Sequence, residues 1–144
     1  MNARVFLDTN VLVYAVGDAA DPRSERARLC LEAGGLVSVQ VLNEFASVAR
    51  RKLRRPWPEI RAALSAFADL GLEVRPLTLE VHYAALDLAE QDGLELSDAC
   101  IVATARAAGC RVLWSEDLQD GRRFGDLLVR NPFSGASGLP SAPS

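Results

Sequence analysis

Arg4-Val5-Phe6-Leu7-Asp8 is a short apolar run that stops at a carboxylate, and its reading decides the fold. β-Branched and aromatic residues in a run this short suit a buried strand. An acid directly after such a strand occupies the edge of an open parallel sheet where sites form. Further along, Arg111-Val112-Leu113-Trp114 repeats the pattern and is followed by the polar turn Ser115-Glu116-Asp117. Two strands that each deliver a carboxylate to their carboxyl end predict one shared edge.

Outward from these anchors, strands and helices alternate. Ser24–Ala33 has helical periodicity and is closed by Gly34-Gly35. Leu36–Val39 is β-rich. Val41–Leu53 places Leu42, Phe45, Val48, Ala49 and Lys52 at helical spacing, and Pro56-Trp57-Pro58 breaks it. Glu59–Leu70 predicts a helix ended by Gly71, and Glu73–Pro76 a short strand. Thr78 is the expected N-cap of a helix to about Gln91, and Ser97 that of a helix to Ala108. Leu127–Arg130 predicts a last strand. The alternation implies an α/β fold with a mostly parallel central sheet flanked by helices. With no repeat and no internal linker, a single domain over 1–133 is expected. The Gly-, Ser-, Pro- and Ala-rich tail, 134–144, is expected to be disordered.

Composition narrows the function classes. At 144 residues the chain is long enough for a real core without disulfides. Hydrophobic residues make up 49% and charged residues 24%, which excludes both an intrinsically disordered chain and a membrane-buried one. The N-terminal apolar run is too short for a signal-peptide core or a membrane span, so a cytoplasmic protein is expected. Cys30, Cys100 and Cys110 form no Cys-x-x-Cys pair, and Cys100 and Cys110 read as small core residues. His82 is the single histidine and reads as a helix-face residue, which removes histidine-rich metal sites and Ser-His-Asp triads. Net charge is −3, which counts against a nucleic-acid partner until the distribution is examined. Arg50, Arg51, Lys52, Arg54 and Arg55 cluster, and acids that converge on a cation are neutralised by it. The basic cluster reads equally as a solvated helix C-terminus or as a track for RNA phosphates. Trp57 reads as a core or interface residue before it reads as a stacking surface.

Asp8, Glu44, Asp98 and Asp117 are predicted to meet at one rim. Asp8 and Asp117 follow strands, Glu44 lies early in the helix leaving Leu36–Val39, and Asp98 lies in the first turn of a helix. Each alone is explained by the helix dipole, which favours an acid there by about 0.3–1 kcal/mol. Asp8, Glu44 and Asp98 sit beside apolar segments, where an acid is costly unless paired or bound to metal. Two carboxylates about 5 Å apart repel by roughly 3 kcal/mol at an effective dielectric near 20, so four together call for a counter-charge. A hard divalent cation suits all-oxygen ligands, with Mg2+ the first choice and Mn2+ possible, and it would activate a water for in-line attack on a phosphodiester.

These residues resemble a known family. Phe6-Leu7-Asp8-Thr9-Asn10-Val11-Leu12 is similar to the opening motif of PIN-domain nucleases. Asn43-Glu44-Phe45, Leu96-Ser97-Asp98-Ala99 and Leu113-Trp114-Ser115-Glu116-Asp117-Leu118 resemble the second, third and fourth acidic positions. The likeness runs from about Val5 to Phe133. It implies a PIN-like three-layer fold and a Mg2+- or Mn2+-dependent endoribonuclease. It further implies the toxin of a VapC-type toxin–antitoxin pair, with an RNA substrate, an antitoxin partner and a homodimer. By the same resemblance Asp8, Glu44, Asp98 and Asp117 bind metal, and Thr9, Asn10 and Ser115 orient them by hydrogen bonds. Glu116 and Asp120 are both candidates for an additional acid. Two rivals stay open. One is an aspartyl-phosphate phosphatase using Asp8 as nucleophile, although Asn10 stands where a second Asp is wanted and Lys52 is the only lysine available as phosphate clamp. The other is a PIN-like domain that binds RNA or a partner without cutting.

Overall fold

The computed structural model describes residues 4–134. Most of the tail assigned to 134–144 therefore lies outside the described residues. Six strands are formed by β1 (Val5–Leu7), β2 (Leu36–Ser38), β3 (Glu73–Arg75), β4 (Val112–Trp114), β5 (Arg123–Phe124) and β6 (Leu127–Arg130). Between them lie α1 (Thr9–Val16), α2 (Pro22–Glu32), α3 (Val39–Arg51), α4 (Trp57–Asp69), α5 (Leu79–Asp92) and α6 (Leu96–Ala107).

The sheet runs β3-β2-β1-β4-β6-β5. All neighbours are parallel except β5 and β6. The order has a functional consequence. From β1 the chain builds β2 and β3 on one side, then returns to lay β4 on the other. The carboxyl ends of β1 and β4 are thus the point where the winding reverses, and the crevice opens there.

Burial explains why such short strands hold. Phe6, Leu7, Val37, Leu113 and Val129 from the strands are almost fully buried, as are Phe45, Ile101 and Val102 from the helices. Phe45 meets Phe67 of α4 edge-on with ring centroids 5.1 Å apart. Burying a side chain of this size contributes roughly 1.5–3 kcal/mol. All three cysteines lie in the core, and burial pushes the Cys30 thiol up to about 12, which leaves it inert. Gly35 is required where β2 closes on β1. A Cβ there would sit 2.8 Å from the Val5 carbonyl oxygen, at a φ of +153°.

Several expectations are corrected. Thr9–Val16 is a helix that the periodicity did not reveal, capped by Asp8, whose carboxylate accepts from the Thr9 amide. The cap of α6 is Glu95, not Ser97, and it makes no side-chain hydrogen bond. α4 starts at Trp57, so only Pro56 breaks the chain, and Pro58 is tolerated in the first turn, where its missing N–H costs nothing. Trp57 is 53% exposed and is therefore not a core residue. The β5–β6 hairpin was also unforeseen. α3 starts at Val39, capped by Ser38, whose hydroxyl accepts from the Val41 amide at 3.2 Å.

Candidate active site

Asp8 occupies the position between β1 and α1. Its amide donates to the Trp114 carbonyl at 3.0 Å, continuing the β1–β4 ladder one step past the strands. That step aims its side chain at the turn after β4. Oδ1 accepts from the Thr9 amide and Oδ2 from the Ser115 hydroxyl, both at 2.7 Å. The Ser115 oxygen in turn accepts from the Asp117 amide at 3.1 Å. Asp8 is 3% exposed, and its pKa is pushed up to about 7. Burial is the largest cause; the Ser115 and Thr9 hydrogen bonds oppose it, and the charges of Asp117 and Asp98 add to it.

The other acids reach this point from three directions. Asn10 Nδ2 donates to Asp117 Oδ2 at 3.2 Å. The Thr9 hydroxyl donates to Glu44 Oε2 at 2.8 Å, tying the start of α1 to α3. Asp98, in the first turn of α6, is half-buried and has no hydrogen-bond partner among the described residues. Burial first, then the charges of Asp117, Glu95 and Glu44, hold its carboxyl above the ordinary range. These effects place Asp8, Glu44, Asp98 and Asp117 in one electrostatic neighbourhood, as the sequence predicted.

Glu44, Asp98, Glu116 and Asp117 line a single open cleft of about 850 Å³, with Asp8 behind its floor. Thr9 and Asn10 line it too, whereas Ser115 is fully buried beneath. The two candidates for an additional acid lie in different places. Glu116 faces the cleft and accepts from the Tyr14 hydroxyl at 2.6 Å. Asp120 turns away, accepting from the Asn131 amide at 2.8 Å and lying 3.8 Å from Arg130. The basic cluster does not act as one unit. Arg51 and Lys52 face the cleft. Arg50 stacks over Trp57 at 5.2 Å, and Arg55 donates to the Val16 carbonyl at 2.9 Å.

Three site residues escaped sequence reasoning. Gln40 Nε2 bridges Glu44 Oε1 and the Ser97 carbonyl, each at 3.0 Å, so it links α3 to the start of α6. Its i, i+4 relation to Glu44 was a usable signal. Tyr14 orders Glu116 while accepting from Arg23 Nη1 at 2.9 Å, but it needed α1 to be recognised first. Glu95 lines the cleft beside Asp98.

The PIN domain family model matches residues 5–123. The chain belongs to the PIN domain family. All four acids fall within the matched span. Solved structures agree on the fold. The Mycobacterium tuberculosis toxin VapC20, which cleaves the sarcin-ricin loop, is 24% identical, with 78% of this chain and 91% of that one covered at a TM-score of 0.63. A toxin–antitoxin complex from Klebsiella pneumoniae is 20% identical, covering 90% and 98% at a TM-score of 0.68. DNA-bound VapBC from Salmonella typhimurium is 20% identical with the same coverage at a TM-score of 0.65. No curated protein sequence matches the chain.

The donor set fits a hard divalent cation in chemistry. It offers only oxygens, and burial, with the neighbouring acid charges adding to it, raises Asp8 and Asp98, both of which a cation would offset. Asn10 Oδ1 adds a buried acceptor without a partner. The set is not closed: among the described residues, no three acidic, imidazole or thiol groups stand ready around one point. Asp98, with no bond to hold it, is the member free to adjust.

Proposed function

We propose that this protein is a metal-dependent endoribonuclease, the VapC-type toxin of a type II toxin–antitoxin pair. One observation carries the reading. Acids from four separate segments converge where β1 and β4 end, in a PIN-family chain, and the most buried of them resists ionisation without a counter-charge. Asp8, Glu44, Asp98 and Asp117 would hold Mg2+ or Mn2+, with Glu116 beside them. When bound, such a cation supplies positive charge against the phosphodiester and favours activation of the attacking water.

The chain's own residues do the rest. Thr9 and Ser115 fix the rotamers of Glu44 and Asp8 by donating to one oxygen of each. The second oxygen of Glu44 is held by Gln40, and Asn10 orients Asp117. These donors keep the carboxylates aimed while the cleft admits an RNA strand. The phosphatase rival loses support, because the chain belongs to the PIN domain family and Asn10, bonded to Asp117, stands where that rival wants a second Asp. A homodimer with an antitoxin partner is part of the same reading, by the family resemblance; no described helix is long and apolar enough to cross a membrane. The test is RNA cleavage with Mg2+ or Mn2+ by Asp8→Asn and Asp98→Asn. Both should lose cleavage with the circular dichroism spectrum unchanged. Wild-type rates in both would refute the reading.

A further inference from the structure

The cleft is electrically bipolar, and α3 is its ruler. Glu44, Ser47, Val48 and Arg51 line it at i, i+3, i+4 and i+7, one continuous helix face. At 1.5 Å per residue, that face carries the cleft about 10 Å from the carboxylates to the end of α3, where Lys52 joins Arg51. The two cations differ from their neighbours in the basic run. Arg50 stacks on Trp57 and donates to the Arg55 carbonyl at 3.2 Å. Arg55 is spent on the Val16 carbonyl and on Glu59, 3.6 Å away. Arg51 donates only to the Ser47 hydroxyl, at 3.2 Å, and Lys52 has no partner among the described residues. Both share a cleft with Glu44, Glu95, Asp98, Glu116 and Asp117 and pair with none of them. Two uncommitted cations held apart from so many acids leave a positive pole facing the same opening.

We propose that Arg51 and Lys52 grip a backbone phosphate of single-stranded RNA neighbouring the one presented to the carboxylates. This rests on the nuclease reading of the cleft and gives it a substrate rule. An RNA long enough to reach both poles binds better than one with a single phosphodiester. A phosphate at the α3 end also offsets the repulsion that the strand meets at the carboxylate end. The plain alternative is that both cations merely complement the C-terminal dipole of α3, which affects helix stability and not RNA.

The test uses the full chain with its four acids intact, with fluorescein-labelled uridine dinucleotide and a longer oligouridine carrying cleavage-resistant phosphorothioate linkages, read by anisotropy in Mg2+ at several salt concentrations. Arg51→Ala and Lys52→Ala should each weaken the longer RNA about three- to fivefold. Removing both, which frees the one phosphate they share, should reduce the slope of log affinity against log salt by about 0.7. The double variant should bind both lengths alike, with dinucleotide binding unchanged. Arg51→Lys should keep the slope. Arg61→Ala, an exposed cation on α4 outside the cleft, should change nothing. In the cleaving protein the same substitutions should raise KM and spare kcat. Unchanged length preference and salt slope in the double variant would overturn the grip, as would failure of the parent protein to bind oligouridine. Cleavage with unaltered KM would sink the grip and leave the nuclease reading. Binding that depends on Arg51 and Lys52 in a protein that cuts no RNA would sink the nuclease reading and leave the grip.

Discussion

The two walls that carry the acids are built differently. Where β1 and β4 end, Asp8, Ser115, Asp117 and Asn10 form a continuous hydrogen-bonded chain on buried backbone. At the start of α6, the Asp98 carboxylate stands half-buried without a hydrogen bond among the described residues, behind a cap residue whose side chain makes no capping bond. The first wall is fixed by that hydrogen-bonded chain, whereas the second packs through the buried face of α6 and is tied to α3 by Gln40, which donates to the Ser97 carbonyl. On the proposed reading, the hydrogen-bonded carboxylates would set the position of a cation and Asp98 would adjust to it. The difference teaches that pre-organisation here is one-sided, and it makes the two walls separable by mutation.

The largest expected effect erases the comparison. Asp8→Asn and Asp98→Asn should each reduce cleavage by more than the roughly 10–100-fold that loss of an outer hydrogen-bond partner costs. Measurable activity in Asp98→Asn alone would make the α6 wall dispensable.

The walls should then part company in stability. The Asp8 pKa stands raised to about 7 in the folded chain, against 3.8 for an ordinary aspartate. A raised folded pKa means that the protonated form is favoured by folding. Its contribution is therefore full below about pH 4 and is lost as pH rises through 7. In metal-free protein, ionising Asp8 should cost up to about 4 kcal/mol by pH 8. Asp8→Asn should accordingly raise the metal-free Tm at pH 8 and flatten its decline from pH 5, as read by calorimetry in chelator. An unchanged pH profile would show that Asp8 is not the strained group.

Smaller effects grade the supports. Ser115→Ala and Thr9→Val should lower activity about 10–100-fold by unfixing Asp8 and Glu44. Gln40→Ala should fall at or below the bottom of that range, since Glu44 keeps Thr9. Asp120→Asn should leave kcat/KM unchanged, because Asp120 faces Asn131 and Arg130.

The acids were legible because a strand that stops at a carboxylate encodes position as well as type. Asp8 and Asp117 follow from that rule alone, and Glu44 and Asp98 from helices that begin on the same edge. α1 was not legible. Val11-Leu12-Val13 is apolar without a clear period, and its cap, Asp8, had already been read as a site residue. Missing α1 concealed Tyr14, and with it the reason that Glu116 faces the cleft while Asp120 does not. Ser97 was misread because a serine before Asp98 resembles a cap, whereas the chain turns helical at Leu96. The core half of the Trp57 reading failed for a similar local reason: its surroundings in sequence say nothing of its exposure or of Arg50 stacking over it.

Thermal unfolding with and without millimolar Mg2+ or Mn2+, in the wild type beside Asp8→Asn and Asp98→Asn, tests the central claim most directly. The account predicts a dose-dependent rise in Tm for the wild type that either substitution abolishes. A wild type indifferent to both ions, or variants that respond as it does, would contradict it.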